Sequence, residues 1–263
     1  MNICAVHLVT FSPTHTSKQV GEAIVRGTGV SEIMKTDLTL HPAGKLEIPE
    51  NTLAVITVPV YGGKVAPLAL ERMKDIHTSG APAVLVVVYG NRAYEKALVE
   101  LDAFASERGF KVIAGGTFVG EHSYSTERNP IAVGRPDVDD LQFAETFGAK
   151  IRTKIETAAE MDKLYARVKD LGYTLVLSEK AKDFIADKGF DKQFGARPLK
   201  RAIQKYVEDA LAEEIITHKI HEGDQIFMDL DETAQELKIE IKKLNLRNSF
   251  YYDLIDYHNN YDT

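Results

Sequence analysis

The segment Thr10 to Lys18, TFSPTHTSK, places several hydroxyl side chains between an apolar run and a stretch with helical spacing. Hydroxyls and backbone amides at the start of a helix suit two roles. One hydroxyl can cap the helix, or the group can hold a phosphate, because the positive end of a helix favours an anion. The turn contains no arginine, and Lys18 already begins the helix, so a phosphate would be held mainly by neutral donors. The segment alone leaves both roles open.

Two further loops follow apolar runs and combine tyrosine with glycine. The first, PVYGGKVAP, spans 59–67, and the second, VYGNRAYEKAL, spans 88–98. Glycine allows a ligand to approach the backbone closely, and tyrosine offers a flat ring, although a lone tyrosine at a rim is more often a packing residue. If all three loops meet, the sequence predicts a pocket for a phosphorylated, flat, aromatic ligand.

The elements that must position these loops alternate between short β-rich runs and amphipathic segments up to about Thr157, as in a parallel sheet with crossover helices. We predict strands at 2–11, 30–36, 53–61, 83–90 and 110–120, and helices at 17–26, 65–77, 93–108 and 137–156. The runs LAVITV and AVLVVV lack polar alternation, so they are predicted as central strands covered on both faces. The ligand is then expected at the carboxyl ends of the strands, where the strand order reverses.

The second half has a different character from about Met161 onwards. The pattern predicts a strand at 173–177, a helix from Glu179 to Gly189, a long helix beginning near Pro198 and two antiparallel strands at 224–230 and 236–244. These elements predict a small α+β domain. The expected domains are 1–157 and 158–245, followed by a tail, 246–263, that is frayed or partly docked. The segment joining the domains fits one continuous helix or two abutting helices.

Composition excludes several function classes. The 263 residues are 44% hydrophobic, with a net charge of −7, and each half has more acidic than basic residues, which argues against nucleic-acid binding. The single cysteine, Cys4, is expected in the core and cannot by itself form a zinc site or an iron–sulfur cluster. No signal peptide and no apolar run near the length of a membrane span is evident, so the expected location is the cytoplasm.

Residues 1–157 resemble the flavodoxin-like FMN domain of bacterial flavodoxin–ferredoxin fusion proteins. The matching segments are FSPTHTSK, PVYGGKVAP, VYGNRAYEKAL, FVGEHSYS and PIAVGRPDVDD. The resemblance implies an α/β fold with a five-stranded parallel sheet, in the order 2-1-3-4-5, and helices on both faces. It also implies FMN as the cofactor and electron transfer through an exposed flavin edge to a redox partner protein.

The resemblance assigns cofactor-binding roles position by position. Around the FMN phosphate it places Ser12, Thr14, His15, Thr16 and Ser17. Along one side of the isoalloxazine it places Pro59, Val60, Tyr61, Gly62 and Gly63, with Tyr61 against a ring face. Along the pyrimidine edge it places Tyr89, Gly90, Asn91 and Arg92, with Tyr94 as the second stacking ring. His15 stands where flavodoxins usually have glycine, and neither a catalytic residue nor a metal ligand is assigned.

The segment GEHSYS, 120–125, forms a further polar cluster after the fifth predicted strand. Glu121 and His122 fit a solvated loop pair, and they also match a segment characteristic of the flavodoxin–ferredoxin family, so His122 is a weaker candidate for the site. The following GRPD, 134–137, is expected to fix a loop and cap the next helix.

Residues 163–243 resemble the C-terminal small domain of ClpC-type AAA+ unfoldases, and GARPLKR is the most diagnostic segment. In that family the arginine of this motif senses nucleotide, and Arg197 is the matching residue. The favoured alternative for this chain is that Arg197 positions the helix start and forms a salt link with an acidic neighbour such as Asp191. The sequence contains neither a Gly-x-x-x-x-Gly-Lys-Ser/Thr phosphate loop nor the cysteine quartets of a ferredoxin, so neither autonomous ATPase activity nor an iron–sulfur cluster is expected.

The leading hypothesis is an FMN-binding electron-transfer protein, either a carrier or an oxidoreductase component, that bears an unfoldase-derived domain. That domain would mediate interaction or oligomerisation, with copies of this chain or with Clp-type unfoldase subunits. The alternative is a flavin-free adaptor or subunit-like partner of a Clp-type ring. A natural gene fusion and an engineered or recombined chain fit these residues equally well.

Overall fold

The computed structural model describes residues 3–189, 196–217, 223–231, 233 and 236–242. It divides into two compact units, 1–155 and 156–263, and each is described by itself. The predicted tail, 246–263, and the side chain of Arg197 lie outside the described residues.

The first unit is built on a parallel sheet. Its strands in chain order are β1 (Ala5–Thr10), β2 (Glu32–Asp37), β3 (Leu46–Ile48), β4 (Thr52–Tyr61), β5 (Lys64–Val65), β6 (Ile76–Thr78), β7 (Pro82–Tyr89) and β8 (Lys111–Val119). The main path runs β2-β1-β4-β7-β8, and all four neighbouring pairs are parallel. With the three short strands set aside, this is the predicted flavodoxin-like order, which is confirmed.

Helices cover both faces of this sheet. They are α1 (Thr16–Thr28), α2 (Pro67–Met73), α3 (Ala97–Ser106) and α4 (Val138–Asp170). One core contains α1 residues such as Ile24 and α4 residues such as Ala144, and the opposite core contains Met73 of α2 and Leu101 of α3. The central strands β4 and β7 supply side chains to both cores, as expected for strands without polar alternation.

Several local features differ from the sequence-based prediction. The helix predicted to reach His77 ends at Met73, and the chain then forms β6, which pairs with β3 in a separate two-stranded parallel sheet. The helix predicted from Ala93 begins at Ala97 instead, so Tyr94 lies in the loop before it. The prediction that Cys4 is buried was wrong: β1 begins one residue later, and Cys4 is exposed.

The second unit is a small α+β domain. The end of α4 leads into β9 (Thr174–Leu177), α5 (Glu179–Gly189), α6 (Ala196–Ile203), a π-helical turn at Gln204–Glu208, α7 (Asp209–Thr217), β10 (Gln225–Asp231) and β11 (Glu236–Lys242). The sheet order is β11-β10-β9, with β10 parallel to β9 and antiparallel to β11.

A separate core holds the second unit together. It includes Leu164, Phe184, Ile203, Ile226 and Met228. The sequence between the two predicted domains fits one continuous helix or two abutting helices. The structure has a single helix there, α4 (Val138–Asp170). Within the part of the chain that the structure describes, no helix is long and apolar enough to cross a membrane.

Candidate functional site

The first three candidate loops leave the same edge of the main sheet, because β1, β4 and β7 are parallel neighbours. The strand order reverses between β1 and β4, which lie at the centre of this edge. Open α/β sheets bind ligands at such a point. The topology therefore brings the hydroxyl-rich turn and the two tyrosine–glycine loops together, as predicted.

Two cavities lie among these loops. The larger, about 450 Å³, is lined by Val60, Tyr61, Gly62, Gly63, Gly90, Arg92, Ala93, Glu95, His122, Ser123 and Tyr124. The smaller, about 70 Å³, is lined by Thr14, Thr16, Pro59, Val60, Tyr61, Val88, Tyr89, Gly90, Gly120, Glu121, His122 and Ser123. The two share lining residues, including Tyr61, Gly90 and His122, so together they connect the hydroxyl turn with the tyrosine loops.

Most of the residues predicted to bind the cofactor line these two cavities, but five do not: Ser12, His15, Ser17, Asn91 and Tyr94. Tyr94 instead packs edge-on against Tyr89, with ring centroids 5.3 Å apart. The loop that follows β8 contributes more of the lining than the sequence indicated. Gly120, Glu121, Ser123 and Tyr124 were not assigned to the site, and neither was Glu95.

The turn before α1 is built around Ser12. Its buried hydroxyl accepts a hydrogen bond from the amide of Lys18 at 3.0 Å, and its carbonyl accepts one from the amide of His15 at 3.1 Å. The amide of Gln19 donates to the carbonyl of His15 at 3.0 Å. The amides of the N-cap and of the first three helical residues have no intrahelical acceptor. The bonds to Ser12 satisfy those of His15 and Lys18, whereas the bond from Gln19 to His15 is the first regular bond of the helix. The amides of Thr16 and Ser17 are the two that remain at the helix start.

Ser17 lies in the first turn of α1 and is 0% exposed. Its hydroxyl has no hydrogen-bond partner, although buried polar atoms are nearly always paired. Two other buried hydroxyls in the described residues share this state, those of Thr10 and Thr57, which are partners on β1 and β4. Because the hydroxyl of Ser17 is fully buried and Ser17 lines neither cavity, it is not placed to contact a ligand in either of them.

Backbone strain is concentrated in the same loops. The non-glycine residues His15, Asn91 and Glu95 have φ of 65°, 56° and 41°, and Gly62 and Gly63 have φ of 59° and 77°. Left-handed conformations at residues other than glycine are uncommon and cluster at ligand-binding sites. The value at His15 explains why a glycine would suit this position. The His15 side chain is exposed.

Charged groups surround the site asymmetrically. Lys18 forms an ion pair with Asp37 at the end of β2, with Nζ 3.2 Å from Oδ2. Burial alone would raise the pKa of Asp37, but hydrogen bonds from Thr39 and the charge of Lys18 outweigh it and hold that pKa below its ordinary value. On the opposite side, the Glu95 carboxylate lies directly against Gly63, where an added Cβ would meet Oε2 at 2.4 Å.

The tyrosine rings at the opening remain accessible. Tyr61 is 49% exposed at the end of β4, and burial of its phenol raises its pKa further above neutrality. Tyr61 therefore offers a neutral, partly exposed ring face to the larger cavity. Tyr94 is 39% exposed and has its ring edge-on to Tyr89.

The loop after β8 is held in place by its own hydrogen bonds. The Glu121 carboxylate accepts from the amide of Gly134 at 3.0 Å, and the Glu121 amide donates to the carbonyl of Arg135 at 2.8 Å. The amide of His122 donates to the carbonyl of Ile131 at 3.2 Å. This loop is therefore a structured wall of the cavity, and Glu121 has a positioning role that its loop sequence did not reveal.

Neither the site nor the rest of the described chain contains a group of three or more His, Cys, Asp or Glu side chains placed to hold a metal ion. The chemistry available is recognition by hydroxyls, backbone amides, aromatic rings and a few charges. This set of groups suits the recognition of an organic phosphate with a flat ring.

Comparison with known proteins identifies the second unit. Residues 150–228 match the family model described as the C-terminal, D2-small domain of ClpB protein. Among curated relatives, the chain is 44% identical over 105 residues to ClpC/MecB, a negative regulator of genetic competence of Bacillus subtilis, covering 40% of this chain and 13% of that protein. It is 39% identical over 88 residues to a ClpA homolog from Cyanidium caldarium, described as an ATP-binding subunit of the ATP-dependent Clp protease, covering 34% of this chain and 10% of that protein.

Solved structures similar to the chain include an archaeal flavodoxin, with 14% identity and a TM-score of 0.39, covering 58% of this chain and 99% of that one. The flavodoxin of Megasphaera elsdenii has 12% identity and a TM-score of 0.35, covering 55% of this chain and 98% of that one. The chain spans only about a tenth of the length of the curated Clp relatives. Residues 150–228 thus resemble a Clp D2-small domain, and the sheet before them has the flavodoxin-like strand order.

Proposed function

We propose that the first unit binds FMN at the strand-end site and transfers electrons to and from a redox partner protein. The observation that carries the proposal is the convergence of the hydroxyl turn and the two tyrosine–glycine loops on connected cavities at the point where the strand order reverses. Thr14 and Thr16 of the hydroxyl turn line the smaller cavity, where their hydroxyls suit the phosphate end of such a ligand. When bound, FMN supplies one- or two-electron redox chemistry.

Different residues of the chain would contact different parts of FMN. Thr14 and Thr16, with the amides at the start of α1 that have no helical acceptor, would hold the phosphate as neutral donors. Tyr61 would cover a ring face, while Gly62 and Gly63 allow the backbone to approach. The Glu95 carboxylate at the rim disfavours added negative charge on the ring, which lowers the potential of the bound cofactor.

Titration with FMN tests this function. Protein purified under native conditions should carry a flavin absorption spectrum or should quench the fluorescence of added FMN. Tyr61→Ala should weaken FMN binding by about 1–3 kcal/mol if the ring stacks, through loss of aromatic contact area. Tyr61→Phe keeps the ring and is the matched control, so it should bind nearly as well as the parent protein.

One result would contradict the whole proposal, and another would contradict the role of one residue in it. A colourless protein that leaves the fluorescence of FMN unchanged would contradict FMN binding and electron transfer. The flavin-free adaptor would then be the hypothesis to test. Equal affinities for Tyr61→Ala and the parent protein would remove the stacking role of Tyr61 alone.

We further propose that the second unit serves as an interaction or oligomerisation module, without ATPase activity of its own. Its similarity to a Clp D2-small domain supports this role, and the sequence shown contains no phosphate-loop motif. Ile216 on α7 is an apolar side chain that is 84% exposed, which makes it a suitable position at which to test such a contact. The partner would be another copy of this chain or a Clp-type subunit.

Size-exclusion chromatography with light scattering tests the module. We expect concentration-dependent self-association or co-elution with a Clp-type unfoldase, and Ile216→Ser should weaken it. Ile33→Ser, which changes an exposed isoleucine on β2 of the other unit, is the control and should have no effect. A monomer under all conditions that never co-elutes would contradict the proposal.

A further inference from the structure

We infer that His122 is a hydrogen-bond donor of fixed tautomer that binds the polar edge of the FMN ring and favours its reduced form. The inference rests on the proposed FMN-binding function and assigns a role to a residue that the sequence left as a weaker candidate.

The tautomer follows from one hydrogen bond. The backbone amide of Tyr124 donates to Nδ1 of His122, with an N···N distance of 3.0 Å. An amide N–H can only donate, so Nδ1 acts as the acceptor and carries no proton in this arrangement. A neutral imidazole has one N–H, which must then be on Nε2. His122 is thereby set as a donor through Nε2.

The position of the ring is fixed as well. The imidazole lies against Gly90, where an added Cβ would come within 2.3 Å of Cδ2, the atom next to Nε2. Tyr124 packs beside it, with ring centroids 5.3 Å apart. The backbone is held on both sides, because the His122 amide donates to Ile131 and its carbonyl accepts from the amide of Ser125.

His122 also lies where the two cavities meet, since it lines both of them. In the proposed binding mode, the segment Tyr89–Arg92 follows the pyrimidine edge of the ring, and His122 is stacked on Gly90 of that segment. The Nε2–H group is therefore close to the part of the ligand that carries hydrogen-bond acceptors. Arg92 and Glu95 line the same larger cavity but belong to the loop before α3.

A donor at this edge discriminates between redox states. Reduction takes two electrons from the redox partner protein and one proton from solvent, and it leaves the ring with one more negative charge. A hydrogen bond to an anionic acceptor is roughly twice as strong as one to a neutral acceptor. The Nε2–H group of His122 should therefore bind reduced FMN more tightly than oxidised FMN, which opposes the effect of the Glu95 carboxylate.

His122→Phe is the principal test, because it keeps an aromatic ring against Gly90 and removes the donor. The affinities for oxidised and reduced FMN are measured by titration, and the midpoint potential by equilibration with reference dyes. We expect the affinity for reduced FMN to fall about tenfold more than that for oxidised FMN, which lowers a two-electron midpoint potential by about 30 mV. His122→Gln retains an N–H donor and should recover part of the shift.

The matched control is His77→Phe, which changes an exposed histidine of β6 that lines neither cavity. It should leave both affinities unchanged. If the parent protein binds FMN and His122→Phe weakens both redox forms equally or not at all, the inference is overturned while the proposed function stands. If the parent protein binds no FMN, both are overturned.

The parent protein gives an independent readout that does not depend on a variant folding. In protein labelled with ¹⁵N-histidine, NMR should show His122 as the Nε2–H tautomer at neutral pH. Its Nε2 resonance should shift when FMN is added and shift again on reduction. An Nδ1–H tautomer, or an Nε2 resonance that does not respond to FMN, would contradict the inference.

Discussion

His15 adopts a left-handed backbone conformation, with φ 65° and ψ −8°, immediately before α1. A residue with a Cβ has an energetic cost of about 1–2 kcal/mol in this region, whereas glycine does not. We therefore expect His15→Gly to be more stable than His15→Ala by about 1 kcal/mol in urea unfolding, despite the greater entropy of glycine in the unfolded chain. His15→Ala is the control, because it removes the imidazole and keeps the strain. Equal stabilities would show that the turn relaxes in solution.

The same pair of variants separates strain from recognition. If the imidazole contributes to phosphate binding, both variants should lose affinity for FMN. If only the backbone amides contribute, both should bind as the parent protein does, since each keeps the amides of the turn. Fluorescence titration of the two variants decides between these roles.

At the scale of single residues, part of the site was predictable from the sequence. The hydroxyl turn and Tyr61 have residue types that suit a ligand and follow apolar strands, so composition and position together identified them. Glu95 and Gly120 carry no such signal. Glu95 reaches the cavity only through the backbone turn at φ 41°, and Gly120 only because its backbone lies against Thr16 and Val88. Such contacts depend on three-dimensional proximity rather than residue type.

The packing of α1 against α4 depends on glycine at the point of contact. A Cβ on Gly148 would lie 2.1 Å from the carbonyl oxygen of Ile24, and one on Gly27 would lie 1.9 Å from that of Glu145. Backbone atoms cannot move aside as a flexible side chain can. We expect Gly148→Ala to destabilise the first unit by about 1–3 kcal/mol, although alanine favours helix by about 1 kcal/mol.

Chemical denaturation measures this effect. The matched control is Gln142→Ala, at an exposed position of the same helix, which should leave stability nearly unchanged or slightly higher. If Gly148→Ala proves as stable as the control, the two helices do not approach each other as closely as described.

The N-terminus of α4 carries a reciprocal cap. The Asp137 carboxylate accepts from the amide of Asp140 at 3.0 Å, and the Asp140 carboxylate accepts from the amide of Asp137 at 2.9 Å. Arg135 also donates to the Asp140 carboxylate. This arrangement confirms that the GRPD segment caps the helix. Asp140→Asn keeps an acceptor oxygen but removes the negative charge that pairs with Arg135 and favours the positive end of the helix, so it should cost up to about 1 kcal/mol of stability at neutral pH.

The cap also predicts a pH dependence. The hydrogen bond from Arg135 is the largest cause that lowers the pKa of Asp140 below its ordinary 3.8. This carboxyl is more acidic in the folded state than in the unfolded state. Its contribution to the free energy of unfolding is therefore complete above the unfolded pKa and is lost as pH falls through the lower folded pKa. Unfolding measured below about pH 4 should therefore show a shallower acid dependence for Asp140→Asn. Asp139→Asn, at an exposed neighbouring position, is the control variant.

Elements were predictable where burial imposes a pattern of sufficient length. β4 and β7 are long, apolar and covered on both faces, so their runs identified them, and their parallel pairing followed from the helices between them. β3 and β6 have only three residues each, too few for a period to emerge. The helix predicted at 65–77 is shorter at both ends in the structure, because short strands occupy Lys64–Val65 and Ile76–Thr78. These strands are also too short for a period to emerge.

At the scale of the whole molecule, the chain contains separate hydrophobic cores. Those of the first unit lie on the two faces of the main sheet, and that of the second unit is formed by α5, α6, the sheet of β9 to β11 and the end of α4. The sequence pattern changes near Met161, and each half has enough apolar residues for a core of its own. We expect thermal unfolding in two transitions, one for each unit.

Adding FMN shows which unfolding transition belongs to which unit. A ligand that binds only the folded first unit stabilises that unit by about 2.7 kcal/mol when its free concentration is a hundred times the dissociation constant. Added FMN should therefore raise the midpoint of one calorimetric transition and leave the other in place. Riboflavin, which has the same ring and no phosphate, is the control and should raise it less, since the hydroxyl turn before α1 would have no ligand. Equal shifts with riboflavin and FMN would show that this turn caps the helix and does not bind the phosphate.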